Sequence, residues 1–169
     1  MGMALVPFGD QHIASTYPWL ESAELRARID STAAPTADGH ERYWRRRIGD
    51  KERPTFAITL DGAHIGNCGL VVDDRRRKAE LWIYLGLERG RGVGRAATEE
   101  LLAEAFDRRS LHRVFVRVLA TNESALRFWR SRGFADEGRL RADTWVDGSP
   151  VDALVLGMLQ AEWRGMTRT

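Results

Sequence analysis

Two neighbouring stretches hold residues whose types and spacing could do chemistry. The first, Arg89-Gly90-Arg91-Gly92-Val93-Gly94-Arg95, alternates glycine with cations just before a helix-like pattern. Glycine lets backbone N–H groups approach a ligand closely, a helix start favours negative charge, and arginine adds a fork of donors. Such a loop suits a pyrophosphate. The second stretch, "KAELWIYL" from Lys78 to Leu85, is a strand that sets Glu80, Trp82 and Tyr84 on one face and Leu81, Ile83 and Leu85 on the other. A carboxylate beside two aromatics could serve as a base through water, and a phenol as an acid. Their bland readings are a Glu80 paired with the cations at 75–78 and a Tyr84 that only walls a pocket.

Three anion-binding readings compete for the glycine loop. A Walker loop ends in Gly-Lys-Ser/Thr, whereas Gly94 is followed by Arg95 and Ala96. The dinucleotide fingerprint fits Gly92, Gly94 and Ala97, but it starts directly after its strand, and here six residues separate Leu85 from Gly92. It also wants an acidic ribose ligand after the next strand, where "VLATN" stands. A loop whose amides converge on a pyrophosphate at a helix start meets neither objection.

The elements that must position these residues are set by periodicity. "MALVPF" reads as an edge strand. Asp10 to about Ile29 reads as one helix or two short ones, broken at Pro18, with Ile13, Leu20, Leu25 and Ile29 as inward positions. "STAAPTADG" is a loop, and His40 to Ile48 a short arginine-rich helix. "PTFAITLDGAHIGNCGLVVDD" holds two strands joined by Asp-Gly, a hairpin signal, and "KAELWIYL" adds a third strand after a charged turn. Arg91 to Arg109 is helical, "HRVFVRVLA" alternates as a strand, and a helix from Glu123 to Arg132 is capped by Asn122 and closed by Gly133. "FADEGRLRADTWV" and "SPVDALVLGML" form a last hairpin. This order predicts a mixed α+β fold: a mostly antiparallel sheet of six to seven strands with helices on both faces. Its single crossover should make the strands at Glu80 and Arg113 parallel.

Composition narrows the classes. The 169 residues suit one domain, 1–169, with a full core. The net charge is +2 and nearly all the cations are arginine. The runs "RRR" at 45–47 and "RRRK" at 75–78 lack aromatic platforms and a recognition module, and the second follows Asp73 and Asp74 in a hairpin-like turn, so a solvated tip is its better reading and no nucleic-acid partner is expected. No apolar run approaches the roughly 20 residues of a membrane helix, and no leader pattern opens the chain, so the cytoplasm is the expected home. Cys68 is alone, and His12, His40, His64 and His112 lack metal-ligand spacing, so no metal is expected.

Taken together with the segments C-terminal to it, the loop resembles that of the GCN5-related N-acetyltransferases (GNAT). Their pyrophosphate loop reads Gln/Arg-x-x-Gly-x-Gly/Ala, matched in register by Arg89, Gly92 and Gly94. "ATNESALRFWRSRGF" is similar to the family's Asn-helix-Gly-Phe segment, and "GFADEGRLRADTWVDGSPVDALVLGML" to the tail of its RimJ/RimL and spermidine acetyltransferase branch. The resemblance implies acetyl coenzyme A as cosubstrate, with the pantetheine arm on Ile83, Tyr84 and Leu85. It puts the pyrophosphate on Gly90 to Arg95, with Asn122 beside the arm. It implies a primary amine as acceptor, on a polyamine-like or aminoglycoside-like small molecule or a protein N-terminus, and a homodimer is compatible with the last hairpin's edge strands.

The pattern also departs from the family. Ribosomal-protein members carry a Glu five residues before the Asn and a Tyr seven after it; those positions are Arg117 and Trp129. Neither can do the expected proton transfer, so Trp129 is expected to wall the thioester pocket. Ser124 is a weak substitute for the hydroxyl, and Glu80 and Tyr84 remain as base and acid. The carboxylates to watch around the acceptor are Glu21, Glu24, Glu41, Asp143 and Asp152. Two other readings stay open: a noncatalytic acyl-coenzyme A sensor, which the lost Glu and Tyr would suit, and a nucleotide-binding α/β domain.

Overall fold

A computed structural model describes residues 2–29, 35–87, 92–146 and 148–167. In chain order the elements are β1 (Met3–Pro7), α1 (Ile13–Glu21), α2 (Ala23–Arg28), α3 (Ala37–Arg47), β2 (Thr55–Leu60), β3 (Ala63–Asp73) and β4 (Lys78–Leu85). They continue with α4 (Val93–Ala103), β5 (Arg113–Leu119), α5 (Glu123–Ser131), β6 (Ala135–Val146), β7 (Ser149–Leu159) and α6 (Gln160–Thr167). All seven strands form one sheet, in the order β1-β2-β3-β4-β5-β7-β6. Only β4 and β5 run parallel, as the single crossover requires.

The β2–β3 turn explains its own sequence. Asp61 and Gly62 have φ of 50° and 84°, the left-handed pair of a tight hairpin turn, and only Gly and short polar residues adopt it cheaply. At the other hairpin, Arg77 takes φ 48° at an exposed tip, and Asp73 accepts from Arg76. The run at 75–77 is thus a solvated turn.

Two boundaries and one element differ from the sequence expectation. Pro18 lies inside α1; the break comes at Ser22, whose hydroxyl accepts from the Leu25 amide and so starts α2. Side-chain capping therefore set the boundary, not the missing proline N–H. Likewise Thr36 caps α3, drawing Ala37-Asp38-Gly39 into the helix rather than the loop before it. The C-terminal helix α6 was not anticipated. It packs Trp163 against Phe106, with ring centroids 6.3 Å apart.

Alternation along the strands sends side chains to two layers. One face carries Ile58, Cys68, Leu70, Leu81, Val114, Val116 and Leu156 into the large core beneath α4, α5 and α6. The other carries Ala57 and Trp82 toward Phe8, Ile13 and Trp44 of the N-terminal segment. Helices thus cover both faces, as the element order predicted. No helix among the described residues is long and apolar enough to cross a membrane.

Candidate active site

The site begins where two strands part. β4 pairs with β5 only through Lys78, Ala79 and Glu80, opposite Arg113, Val114 and Phe115. Beyond Glu80, β4 keeps its ladder with β3 as far as Leu85, while β5 continues beside β7. The backbone of 81–85 that faces β5 therefore has no strand partner on that side, and unpaired backbone groups seek a ligand or water. A cavity of about 900 Å³ opens along this parting. Its wall runs from Gly94, Asn122, Ser124 and Phe128, past Ile83, Tyr84 and Leu85, to Tyr43, Trp44 and Arg47.

One end of the cavity is made of helix starts. Gly92 sits at φ 76°, a left-handed position that turns the chain into α4 without a side-chain cap. The first amides of a helix have no intrahelical acceptor, so those of α4 are left for an anion. A Cβ on Gly94 would stand 3.9 Å from Phe128, so α4 passes close to α5 here. The Val93 side chain goes into the core, leaving only its amide for a ligand. Arg95 is held by Glu99 at 2.8 Å one turn on. Arg89, Gly90 and Arg91 lie outside the described residues. Asn122 caps α5, accepting from the Ala125 amide at 3.2 Å and the Ser124 hydroxyl at 3.0 Å. Trp129 is buried against Phe134 and Phe128, and it also forms part of the cavity wall.

The chemical groups meet on the opposite face of β4. Glu80, Trp82 and Tyr84 share that face, opposite Val71, Gly69 and Asn67 of β3. Glu80 is gripped by Arg117, whose Nε donates to Oε1 at 2.8 Å and Nη2 to Oε2 at 3.3 Å. Asp143 adds a second carboxylate 3.9 Å from the same guanidinium. The partner of Glu80 is thus Arg117 on β5, not the basic run at 75–78: side-by-side parallel strands bring together residues 37 apart in sequence.

Tyr84 receives a hydrogen bond from Asn67 Nδ2 at 2.8 Å. Its hydroxyl oxygen is the acceptor in that bond, so its own proton is free to point into the cavity. Burial pushes the phenol pKa up, and Asn67 offsets this only in part, so Tyr84 stays protonated and can act as a donor.

Behind Asn67 stands a chain the sequence did not reveal. His64 Nε2 lies 2.8 Å from Asn67 Oδ1 and 3.0 Å from the Gly66 carbonyl, both acceptors, so Nε2 carries the proton. Its Nδ1 then accepts from the Ser15 hydroxyl at 2.7 Å. Burial holds the His64 pKa below the ordinary value, in keeping with a neutral ring. The chain orients Asn67, which in turn orients Tyr84.

Two glycines make room for the aromatics. A Cβ on Gly69 would fall 2.7 Å from the Trp82 ring and 2.6 Å from the Pro54 carbonyl, and one on Gly86 only 2.0 Å from Trp19. His40 is another residue that spacing could not nominate. It is buried, lines the cavity and donates from Nε2 to the Ile13 carbonyl at 3.2 Å. Among the carboxylates to watch, only Asp143 lines the cavity. Glu41 pairs with Arg45, and Asp152 with Arg139 and the Ala142 amide. No cluster of three or more His, Cys, Asp or Glu among the described residues is placed to hold a metal ion.

Residues 3–135 match the acetyltransferase (GNAT) domain family. The chain belongs to the GNAT acetyltransferases. YdaF of Bacillus subtilis (strain 168), whose name describes it as a ribosomal N-acetyltransferase, is 31% identical over 124 residues, 72% of this chain and 68% of its own. Spermidine N(1)-acetyltransferase of Escherichia coli (strain K12) is 25% identical over 126 residues, 73% of this chain and 68% of its own. A Vibrio cholerae spermidine N-acetyltransferase, solved in complex with CoA and spermine, superposes with a TM-score of 0.89 at 20% identity, over 96% of this chain and 98% of that one. These relatives are named N-acetyltransferases, and this acetyltransferase is accordingly an enzyme rather than a noncatalytic acyl-coenzyme A sensor.

Proposed function

We propose that this acetyltransferase, as one domain spanning 1–169, takes acetyl coenzyme A into the parting between β4 and β5 and acetylates a primary amine in the cytoplasm. The observation that carries the reading is continuity: one cavity joins the starts of α4 and α5 to the Tyr84 side chain. Acetyl coenzyme A supplies an activated thioester when bound. The free edge of β4 at Ile83, Tyr84 and Leu85 would hold its arm, and the amides at 92–95 its pyrophosphate, with Arg89, Gly90 and Arg91 completing that loop. Asn122 and Trp129 would flank the arm on the α5 side.

Two protons must move. The amine has to lose one, and the departing sulfur has to gain one. Tyr84 is the donor, because its hydroxyl accepts from Asn67 and keeps its own hydrogen for the cavity. Glu80 takes the amine proton through water, using the lone pairs that Arg117 leaves open. The test of the donor assignment is a melting experiment. Acetyl coenzyme A should raise Tm by several degrees where ATP and NAD do not, since a ligand bound only to the folded state stabilises it. Equal shifts from all three, or none from acetyl coenzyme A, would overturn it.

A further inference from the structure

The acceptor end of the cavity carries an unmatched cation and unmatched donors. The side chain of Arg47, at the last turn of α3, has no hydrogen bond or salt bridge to any described residue; its guanidinium rests instead 5.4 Å from the Tyr43 ring centre and 6.0 Å from that of Trp82. Its Nε is buried without an acceptor. So are the indole Nε1 atoms of Trp44, whose side chain is only 3% exposed, and of Trp82. All three residues line the cavity. A buried donor left unpaired costs roughly 1–3 kcal/mol, and three within one aromatic cluster mark a place where an acceptor belongs.

The opposite charge is already spent. The described carboxylates in the wall are Glu80 and Asp143, and Arg117 lies at 2.8 Å and 3.9 Å from them. Nothing described at the Arg47 end would greet a second or third ammonium of a polyamine. A single guanidinium flanked by neutral donors matches a singly charged, planar group better than a phosphate dianion, and the fork of Arg47 fits two oxygens side by side. Leu20, Leu25, Tyr43 and Trp82 supply an apolar wall beside it.

We infer that the acceptor of this enzyme is a small amine carrying a carboxylate on an apolar or aromatic body, the carboxylate bound by Arg47 beside Trp44 and Trp82 and the amine presented toward Tyr84. The inference rests on the acetyltransfer reading and narrows its substrate class.

The test is a matched acceptor series with acetyl coenzyme A, read by thiol release: phenylalanine, its amide, its decarboxylated amine, its phosphonate analogue, and spermidine. Phenylalanine should exceed the amide, the decarboxylated amine and spermidine at least tenfold in kcat/KM, and the phosphonate should fall between. Arg47→Met should bring these ratios toward one, and Arg47→Lys, which keeps the charge but loses the fork, should retain part of the preference. Calorimetry with phenylalanine on the coenzyme A complex gives a readout independent of turnover, in which Arg47→Met should weaken binding tenfold or more. Preference for spermidine or the uncharged amines would overturn the inference while leaving acetyltransfer intact. So would phenylalanine binding at millimolar concentration that is absent, or indifferent to Arg47. Loss of the acetyl coenzyme A melting shift would instead strike the donor reading beneath it.

Discussion

The two ends of the cavity are built by different means. The end proposed for the donor consists of backbone: an unpaired strand edge at 81–85, a left-handed glycine and the first amides of α4. The end proposed for the acceptor consists of side chains from distant segments, with Trp44 and Arg47 from α3, Trp82 and Tyr84 from β4 and Asn67 from β3. Backbone sites tolerate wide variation in side chains and depend on strand register and helix starts. Side-chain sites can change specificity by single substitutions while the donor end stays fixed. One donor can thus be kept while acceptors diverge.

The comparison breaks most sharply at the residue the two ends share. Tyr84→Phe should lower kcat about 100-fold, the scale of a lost general acid, with acetyl coenzyme A affinity little changed. Steady-state kinetics beside calorimetry would separate the two. A wild-type kcat would remove Tyr84 from the chemistry and return it to the pocket wall.

Gly69→Ala probes the acceptor end alone. The new methyl would meet the Trp82 ring and a backbone carbonyl, so the indole must shift. KM for the amine should rise about tenfold and Tm should fall by several degrees, since overpacking costs typically 1–3 kcal/mol. The KM for acetyl coenzyme A should hold. If both KM values rose together, the two ends would not be separable.

Gly92→Ala probes the donor end. The left-handed φ of 76° strains any L side chain, although a Cβ there meets nothing within 4 Å. The cost should be about 1 kcal/mol in stability and a several-fold rise in KM for acetyl coenzyme A, with amine selectivity retained. A change in the ranking of amines would contradict the division.

The smallest effect expected is one of pH, and it also falls on the acceptor side. His12, His40 and His64 all have lowered pKa values, each chiefly from burial. A depressed histidine favours folding above its unfolded value of about 6.5, because the unfolded chain takes up protons first as pH falls. Stability should therefore be full above about pH 7 and decline below about 6.5. Melting curves across that range would record it, and a Tm independent of pH would mean the three rings are not held neutral by the fold.

The same division decides what could be read from the sequence. Strand alternation and turn chemistry revealed the sheet, including the Asp61-Gly62 turn, the parallel crossover and the shared face of Glu80, Trp82 and Tyr84. The starts of α4 and α5 were legible because Gly92 and the Asn122 cap act within a few residues of the backbone they shape. The acceptor end was not. Asn67 reads as an ordinary strand residue until β4 places Tyr84 opposite it, and Arg47 reads as one more charge in an arginine run until Tyr43 and Trp82 are found beside it. Even the partner of Glu80 needed the β4–β5 pairing, since local sequence offered the cations at 75–78 and the sheet chose Arg117.

The most direct test of the central claim is product analysis. Incubated with acetyl coenzyme A and a primary amine, the enzyme should form the N-acetylated amine and free coenzyme A in equal amounts, at a rate that depends on Tyr84. Release of coenzyme A without acetylated amine, or an acetylated product formed equally fast without the enzyme, would contradict it.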